Sequence, residues 1–394
     1  MKHLKTIFYA LRGVLTVLFL TILTPLQAQT DTLSMDSVEI SLLTCEPHDE
    51  VYSLYGHTAI RYHDLRPGGY DIAFNYGVFN FHAPYFALRF VFGMTDYELG
   101  AYPYRLFLAE YRHFGSQVTE QVLNLTNDEK LKLRDALAEN LRDENKIYRY
   151  NYFYNNCTTK ARDIIEQSVS GRVEYTDNKP DTKTYRMMVH EMTRNHPWSR
   201  FGNDLLLGYM ADRPITQRQQ EFLPHYLMND FSQARIISDK GQRPLVAEQR
   251  VALPSGTPIV QEGFPLSPRQ CGFILLAVGI LLIIAEFTTG RIFILWDVLL
   301  MVITGIIGLV LFLMLFSQHP TVSVNFQLSL FNPLPWFFLW PVIRRRQTHY
   351  WTITVGLVLL FFILGLFQDY AEGLWSLALC LLMQSSIHIV KARQ

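Results

Sequence analysis

The sequence predicts an exported α+β domain followed by an α-helical membrane bundle, and three observations carry that fold class. Apolar residues make up 49% of the 394, and they concentrate at the two ends of the chain instead of spreading evenly as in a soluble protein. A series of long apolar blocks occupies everything after residue 271. Between the ends, runs of alternating apolar and polar residues stand beside stretches with leucines at helical spacing.

The chain opens with "MKHLKTIFYALRGVLTVLFLTILTPLQAQT", which has a basic start, an apolar core from Val14 to Leu23, and the helix breaker Pro25 shortly before Ala28. Residues 1–28 therefore read as a signal peptide. Leu26 stands where cleavage favours a small residue, so a retained N-terminal anchor is the alternative, and either outcome exports the middle of the chain. No cysteine follows this segment in a lipidation position, so the chain is not expected to be a lipoprotein itself. Lys and Arg number 35, as do Asp and Glu, and this balance gives no support to a nucleic-acid partner.

The exported segment is expected over residues 30–243. "HTAIRYHD" and "YDIAFNYGVF" alternate on either side of the Pro and Gly cluster "LRPGG", which predicts a β-hairpin. "TNDEKLKLRDALAENLRDE" predicts a helix capped by Thr126, with acids in its first turn. Another helix is expected from Thr158 to about Ser168, and then a helical, aromatic region reaching Ala234. Residues 244–270 carry prolines and weak periodicity, and read as a linker to the bilayer.

The membrane domain, residues 271–394, breaks into apolar blocks at 272–288, 292–316, 328–343, 350–367 and 373–390, each near the length of a membrane-spanning helix. The third is short and contains Pro333, Pro335 and Pro341, so it reads as a kinked or re-entrant span. Five spans with the soluble part outside place the C-terminus in the cytoplasm, and the basic residues agree. Arg291 follows the first block, Arg344, Arg345 and Arg346 the third, Lys391 and Arg393 the last, while "SQHPTVSVN" and "QDYAEG" carry neither Lys nor Arg. Trp336, Trp340, Trp351 and Trp375 are candidate interfacial anchors. Glu286 and Asp297 sit within or near spans, and pairing with the nearby Arg291 is the expected account of them.

Of four cysteines, Cys271 and Cys380 lie at the edge of or within apolar blocks, which leaves Cys45 and Cys157 facing water. In an oxidising compartment they are candidates for a disulfide. Cys157 has a second reading. It opens the helix after "RYNYFYNN", where unpaired N–H groups and the helix dipole lower a thiol pKa. His57, at the mouth of the first hairpin strand, is the expected base. Across the hairpin its partner falls near Asn75 or Tyr76, with His63 and Asp71 close by, and Asn75 is the residue chosen to orient the imidazole. A buried, inert Cys157 is the competing account, opposed by the polar "YNN" and "TT" that flank it. "HEMTRNH" does not predict a metal site. His190 and His196 are six apart, pointing roughly 240° apart on a helix instead of along one face.

The order of a strand His, a polar group on the next strand, and "NC" opening a helix resembles the circularly permuted papain-like, NlpC/P60-type thiol enzymes. More closely, "LLTCEP", "YGHTAIRYHD", "FNYGVFNF", "YNYFYNNCTTKARDII" and "WSRFGNDLLLGYMADR" resemble the periplasmic domain of the Bacteroidetes lipoprotein N-acyltransferase family called Lnb, over residues 41–234. The resemblance implies a permuted papain-like fold in the periplasm, on the inner membrane. It also implies acyl transfer from a phospholipid, through a thioester on Cys157 with His57 as base and acid, to the N-terminal cysteine amine of a diacylated lipoprotein. Backbone N–H groups at the start of the Cys157 helix are the expected oxyanion holders. No cofactor and no metal are implied. Tyr76, Phe79 and Phe81 are expected substrate contacts, and the aromatic run "FNFHAPYFALRFVFG" reads equally as an acyl route and as ordinary core. The alternative function is a peptidoglycan amidopeptidase of the NlpC/P60 type.

Overall fold

The computed structural model describes residues 35–79, 84–176, 182–260, 263–346 and 348–392. The expected signal peptide or anchor lies outside the described residues, as does Phe81. Strand β1 (Val38–Cys45) is buried along nearly its whole length, as its apolar "ISLL" centre requires of an interior strand. The hairpin of β2 (His57–Asp64) and β3 (Asp71–Val78) follows, then helix α1 (Phe86–Val91), β4 (Asp96–Pro103), α2 (Tyr104–Phe114) and β5 (Val118–Leu123). Helix α3 (Asn127–Asn140), the short β6 (Ile147–Arg149) and α4 (Cys157–Ser168) complete the first pass.

Beyond them come β7 (Arg172–Glu174), α5 (Tyr185–Met192), α6 (Pro197–Leu206), α7 (Pro224–Gln233), β8 (Arg235–Ser238), β9 (Gly241–Pro244) and β10 (Val246–Leu253). Seven strands form one antiparallel sheet in the order β10-β5-β1-β2-β3-β4-β6, and β7, β8 and β9 form a smaller one. Alternation along the strands sorts side chains onto two faces. Ile60, Tyr76 and Leu42 pack with Leu133 and Leu137 of α3 and Ala161, Ile164 and Ile165 of α4. Ala59, Ala73, Leu43 and Cys45 pack with Tyr104, Phe107 and Tyr111 of α2 on the other face. Helix α3 starts where its sequence places the cap, with Thr126 and Glu129 forming a reciprocal capping box.

The expected linker over 244–270 needs correction, because Val246–Leu253 is an edge strand hydrogen-bonded to β5. Its alternating "VAEQRVAL" supplies the strand, Pro244 and Pro254 stand outside it, and Arg250 ties it to Glu120 and Glu39. Two register shifts let the ladder continue along the edge.

Among the described residues, three helices are long and apolar enough to cross a bilayer: α8 (Pro268–Thr289), α9 (Ile294–Met314) and α12 (Leu374–Ala392). Between them α10 (Leu334–Ile343) and α11 (Tyr350–Leu364) are shorter. The chain before α10 turns back against the side of α9, where a Cβ on Gly308 would lie 2.4 Å from Asn332 backbone atoms. That close approach places irregular backbone beside a membrane helix, with protein to cover it. Glu286 and Asp297 are fully buried and do not pair with Arg291 as expected. Gln384 donates to both carboxylates, His388 lies 2.9 Å from Asp297, and Glu286 accepts from the Phe293 N–H. Trp351 is likewise no interfacial anchor, since it is buried and stacked on His388.

The two halves are joined by a buried polar network at the outer end of the bundle. Gln327 donates to the Asp204 carbonyl, Asn325 to Leu205, and Gln368 to Leu207, while Gly208 and Tyr209 N–H groups donate to Thr321 and Val324. Arg186 holds the exported side of this joint between Asp204 and Asp212, both at hydrogen-bonding distance. Each buried amide is satisfied across the junction, so separating the halves would strand several polar groups.

Candidate active site

Cys157 occupies the first turn of α4, and the residue before it builds that turn. Asn156 is the N-cap: its side-chain oxygen accepts from the Thr158 and Thr159 N–H groups at 2.9 Å, and Thr159 Oγ1 accepts from the Asn156 N–H. The Asn156 amide nitrogen donates to the Tyr152 and Phe222 carbonyls, fixing the cap in the core. Three of the four orphan N–H groups of the helix start, those of Asn156, Thr158 and Thr159, are thereby used, and the Cys157 N–H is left as the donor beside the sulfur.

His57 is half-buried at the start of β2, and its Nε2–H donates to Asn75 Oδ1 at 2.6 Å. The register explains why Asn75, and not Tyr76, meets it. His63 pairs with Asp71 and Ile60 with Phe74, so Asn75 shares a sheet face with His57 while Tyr76 points to the opposite one. With Nε2 committed, the other ring nitrogen is the one left to serve the Cys157 thiol, and the two groups stand close enough for each to shift the other's pKa. Asp71 is occupied by Arg61 instead.

The imidazole and the sulfur approach each other past Gly77. This residue sits at a bulge in the β3–β4 ladder with φ of +96°, and a Cβ there would lie 3.6 Å from Cys157 Cβ and 3.9 Å from His57 Cε1. A strand glycine is the one sequence signal that marks such an approach. Thr58 and Thr158 complete the surroundings, with Thr58 Oγ1 donating to Thr158 Oγ1 at 3.1 Å and Thr158 Oγ1 standing 3.8 Å from the sulfur.

Electrostatics follow from this packing. Burial by itself would raise the thiol pKa, but the His57 charge and hydrogen bond, the Thr58 N–H and the Thr158 hydroxyl bring Cys157 down to about 7. Burial would lower the imidazole, yet the thiolate and Asn75 hold His57 above its ordinary value. The arrangement favours a thiolate beside an imidazolium. Cys45 is the opposite case. Burial pushes its thiol well up against only partial relief from Tyr111, and both Cys45 and Cys157 are free, which corrects the disulfide reading.

Aromatic rings stack on one another near Cys157. Phe79 stacks on Tyr97 with ring centres 5.0 Å apart, and Tyr97 stacks on Tyr150 at 4.0 Å. Burial and the nearby Cys157 charge push Tyr97 up to about 12. Tyr76, expected as a substrate contact, is a core residue instead. It is 2% exposed, and its hydroxyl accepts from Asn140 beneath the sheet. A cavity of about 490 Å³ begins at Gly56, next to His57, but its lining does not include Cys157. His190 bonds Asp204 and His196 faces Asp49, and no metal-ligating cluster occurs among the described residues.

The family model described as Lnb N-terminal periplasmic domain matches residues 26–191. The one described as Lnb transmembrane domain matches residues 259–394. The chain belongs to the Lnb family. It is therefore a membrane enzyme of that family with an N-terminal periplasmic part, and the Cys157, His57 and Asn75 cluster lies in the Lnb periplasmic domain with all three residues inside the matched span. No curated protein and no solved structure matches the chain. The Lnb transmembrane match begins just past β10, after the sheet is complete, so the strand corrected above belongs structurally to the soluble domain.

Proposed function

We propose that this enzyme moves an acyl chain from a phospholipid, through a thioester on Cys157, to the N-terminal cysteine amine of a diacylated lipoprotein at the periplasmic face of the inner membrane. The observation that carries the reading is a thiol at a helix start, beside an imidazole that Asn75 orients, in a domain docked by buried polar contacts onto a membrane bundle. Both substrates are anchored in the bilayer, so holding the thiol at its surface raises their effective concentration.

In the first half-reaction the Cys157 thiolate attacks the ester carbonyl of the donor. The Cys157 N–H stabilises the oxyanion, the carbon–oxygen bond to glycerol breaks, and His57 gives its proton to the departing lysophospholipid. In the second, the acceptor amine attacks the thioester carbonyl, His57 takes the amine's proton, and the carbon–sulfur bond breaks to return the thiolate. Asn75 keeps the imidazole oriented throughout.

The test is intact-mass analysis of the purified enzyme after incubation with phospholipid vesicles. The Cys157 peptide gains one fatty acyl group, and Cys157→Ser enzyme gains none. Cells carrying Cys157→Ser that still make fully triacylated lipoproteins would refute the reading. Release of peptides from sacculi without acylation of Cys157 would replace it with the amidopeptidase function.

A further inference from the structure

We propose that helix α1 and its flanks form a lip that dips into the outer leaflet beside the thiol, so that the ester reaches Cys157 without leaving the bilayer. The segment is unusually apolar for the surface of a soluble domain: Tyr85 is 79% exposed, Leu88 50% and Phe90 46%, with Met94 also exposed. Its position says what covers it. Helix α1 packs against α9, and Val91 joins the cluster that contains Leu311 and Met314 from the last turn of that helix. Just beyond α1, the Phe92 carbonyl accepts from the Gln318 N–H at 2.9 Å, and a Cβ on Gly93 would lie 2.9 Å from the His319 ring.

The chain of α1 is thereby clamped at the height where α9 leaves the bilayer. Phe312 in the last turn of α9 and Phe316 just beyond it are exposed too, so the apolar side chains of α1 continue the lipid-facing belt of a membrane helix. The lip also leads to the chemistry. Phe79 precedes it in the chain and stacks on Tyr97 of β4, the strand paired with β3 at the Gly77 bulge that faces Cys157. Arg89 does not oppose immersion, because it is turned onto Asp96 and the Met94 carbonyl.

The insertion stands on the packing alone, while its use for donor delivery rests on the acyl-transfer reading. The full-length protein is placed in nanodiscs of dibromo-phosphatidylcholine, with Phe90→Trp compared against Tyr70→Trp at the far end of the β2–β3 hairpin. The added fluorescence of Phe90→Trp is expected to be quenched and that of Tyr70→Trp is not. Equal, weak quenching of the two overturns the lip. Leu88→Glu with Phe90→Glu is expected to slow acylation of Cys157 by vesicle-borne donor by about tenfold or more, with iodoacetamide labelling of the same thiol unchanged. Undiminished acylation refutes donor delivery. Quenched Phe90→Trp in an enzyme whose Cys157 is never acylated supports the lip and sinks the acyl-transfer reading instead.

Discussion

Replacing Asn75 by Ala removes the oxygen that holds His57 Nε2–H at 2.6 Å while leaving sulfur and imidazole in place. Such a bond is worth roughly 1.5–3 kcal/mol to a charged donor and roughly 0.5–1.5 kcal/mol to a neutral one. The thiolate–imidazolium pair therefore loses about 1–1.5 kcal/mol relative to the neutral pair, which at about 1.36 kcal/mol per tenfold is a five- to twelve-fold drop in its population. Iodoacetamide reacts with the thiolate, so its rate at Cys157 reads that population directly. With the wild-type thiol held at about 7, labelling at about pH 6 is proportional to the ion-pair fraction, and the drop appears there in full. The sign is fixed by the direction of the shift: weakening the imidazolium raises the thiol pKa, so the labelling curve of Asn75→Ala moves to higher pH. The two curves converge in strong alkali, where both thiols are ionised. Asn75→Asp keeps an acceptor and retains labelling at neutral pH. An Asn75→Ala enzyme with an unmoved curve would refute the argument that this amide sustains the pair.

Cys45→Ser is expected to retain the proposed acyl transfer and to leave labelling of Cys157 intact, because Cys45 is buried with its thiol pushed well up; loss of labelling in that variant would contradict the assignment. Gly77→Ala forces a Cβ onto a backbone at φ of +96° against Cys157 Cβ and the His57 ring, and is expected to cost about 1–3 kcal/mol in thermal unfolding together with a fall in turnover. A Gly77→Ala enzyme of wild-type stability and rate would show that the bulge is not needed. Arg186→Met leaves Asp204 buried beside the bilayer joint and is expected to lower stability by about 3–5 kcal/mol, measured by detergent-phase thermal melts; a change below about 1 kcal/mol would mean the ion pair is dispensable. Asn156→Ala removes the cap beneath the thiol and is expected to cost about 1–2 kcal/mol, again by thermal melts, with labelling at Cys157 slowed.

Much of the architecture was legible because local rules and the global fold agree. Thr126 and Glu129 announced α3, the leucine spacing set its buried face, and "LRPGG" placed the hairpin turn. The apolar blocks marked the bundle, although two of them became helices too short to cross by length alone. Val246–Leu253 reads as a spacer in the sequence because prolines on either side resemble a tether, and only its partner β5 distinguishes an edge strand from a spacer. Glu286 and Asp297 were assigned to Arg291 by proximity in sequence, whereas the bundle turns them toward Gln384 and His388, almost a hundred residues away.

What the sequence determined alone is the set of local devices: a cysteine placed after an N-cap, a histidine opening a strand, an asparagine on the strand beyond, and blocks long enough for lipid. These depend on spacing within one element, which a linear text records. The tertiary structure decided which of two neighbouring residues faces the imidazole, that Tyr76 belongs to the core, that Gly77 opens the gap between base and sulfur, and that α1 rests at the outer end of α9. Those are matters of register and of contact between distant segments, where a slip of one residue reverses a sheet face without altering any local pattern.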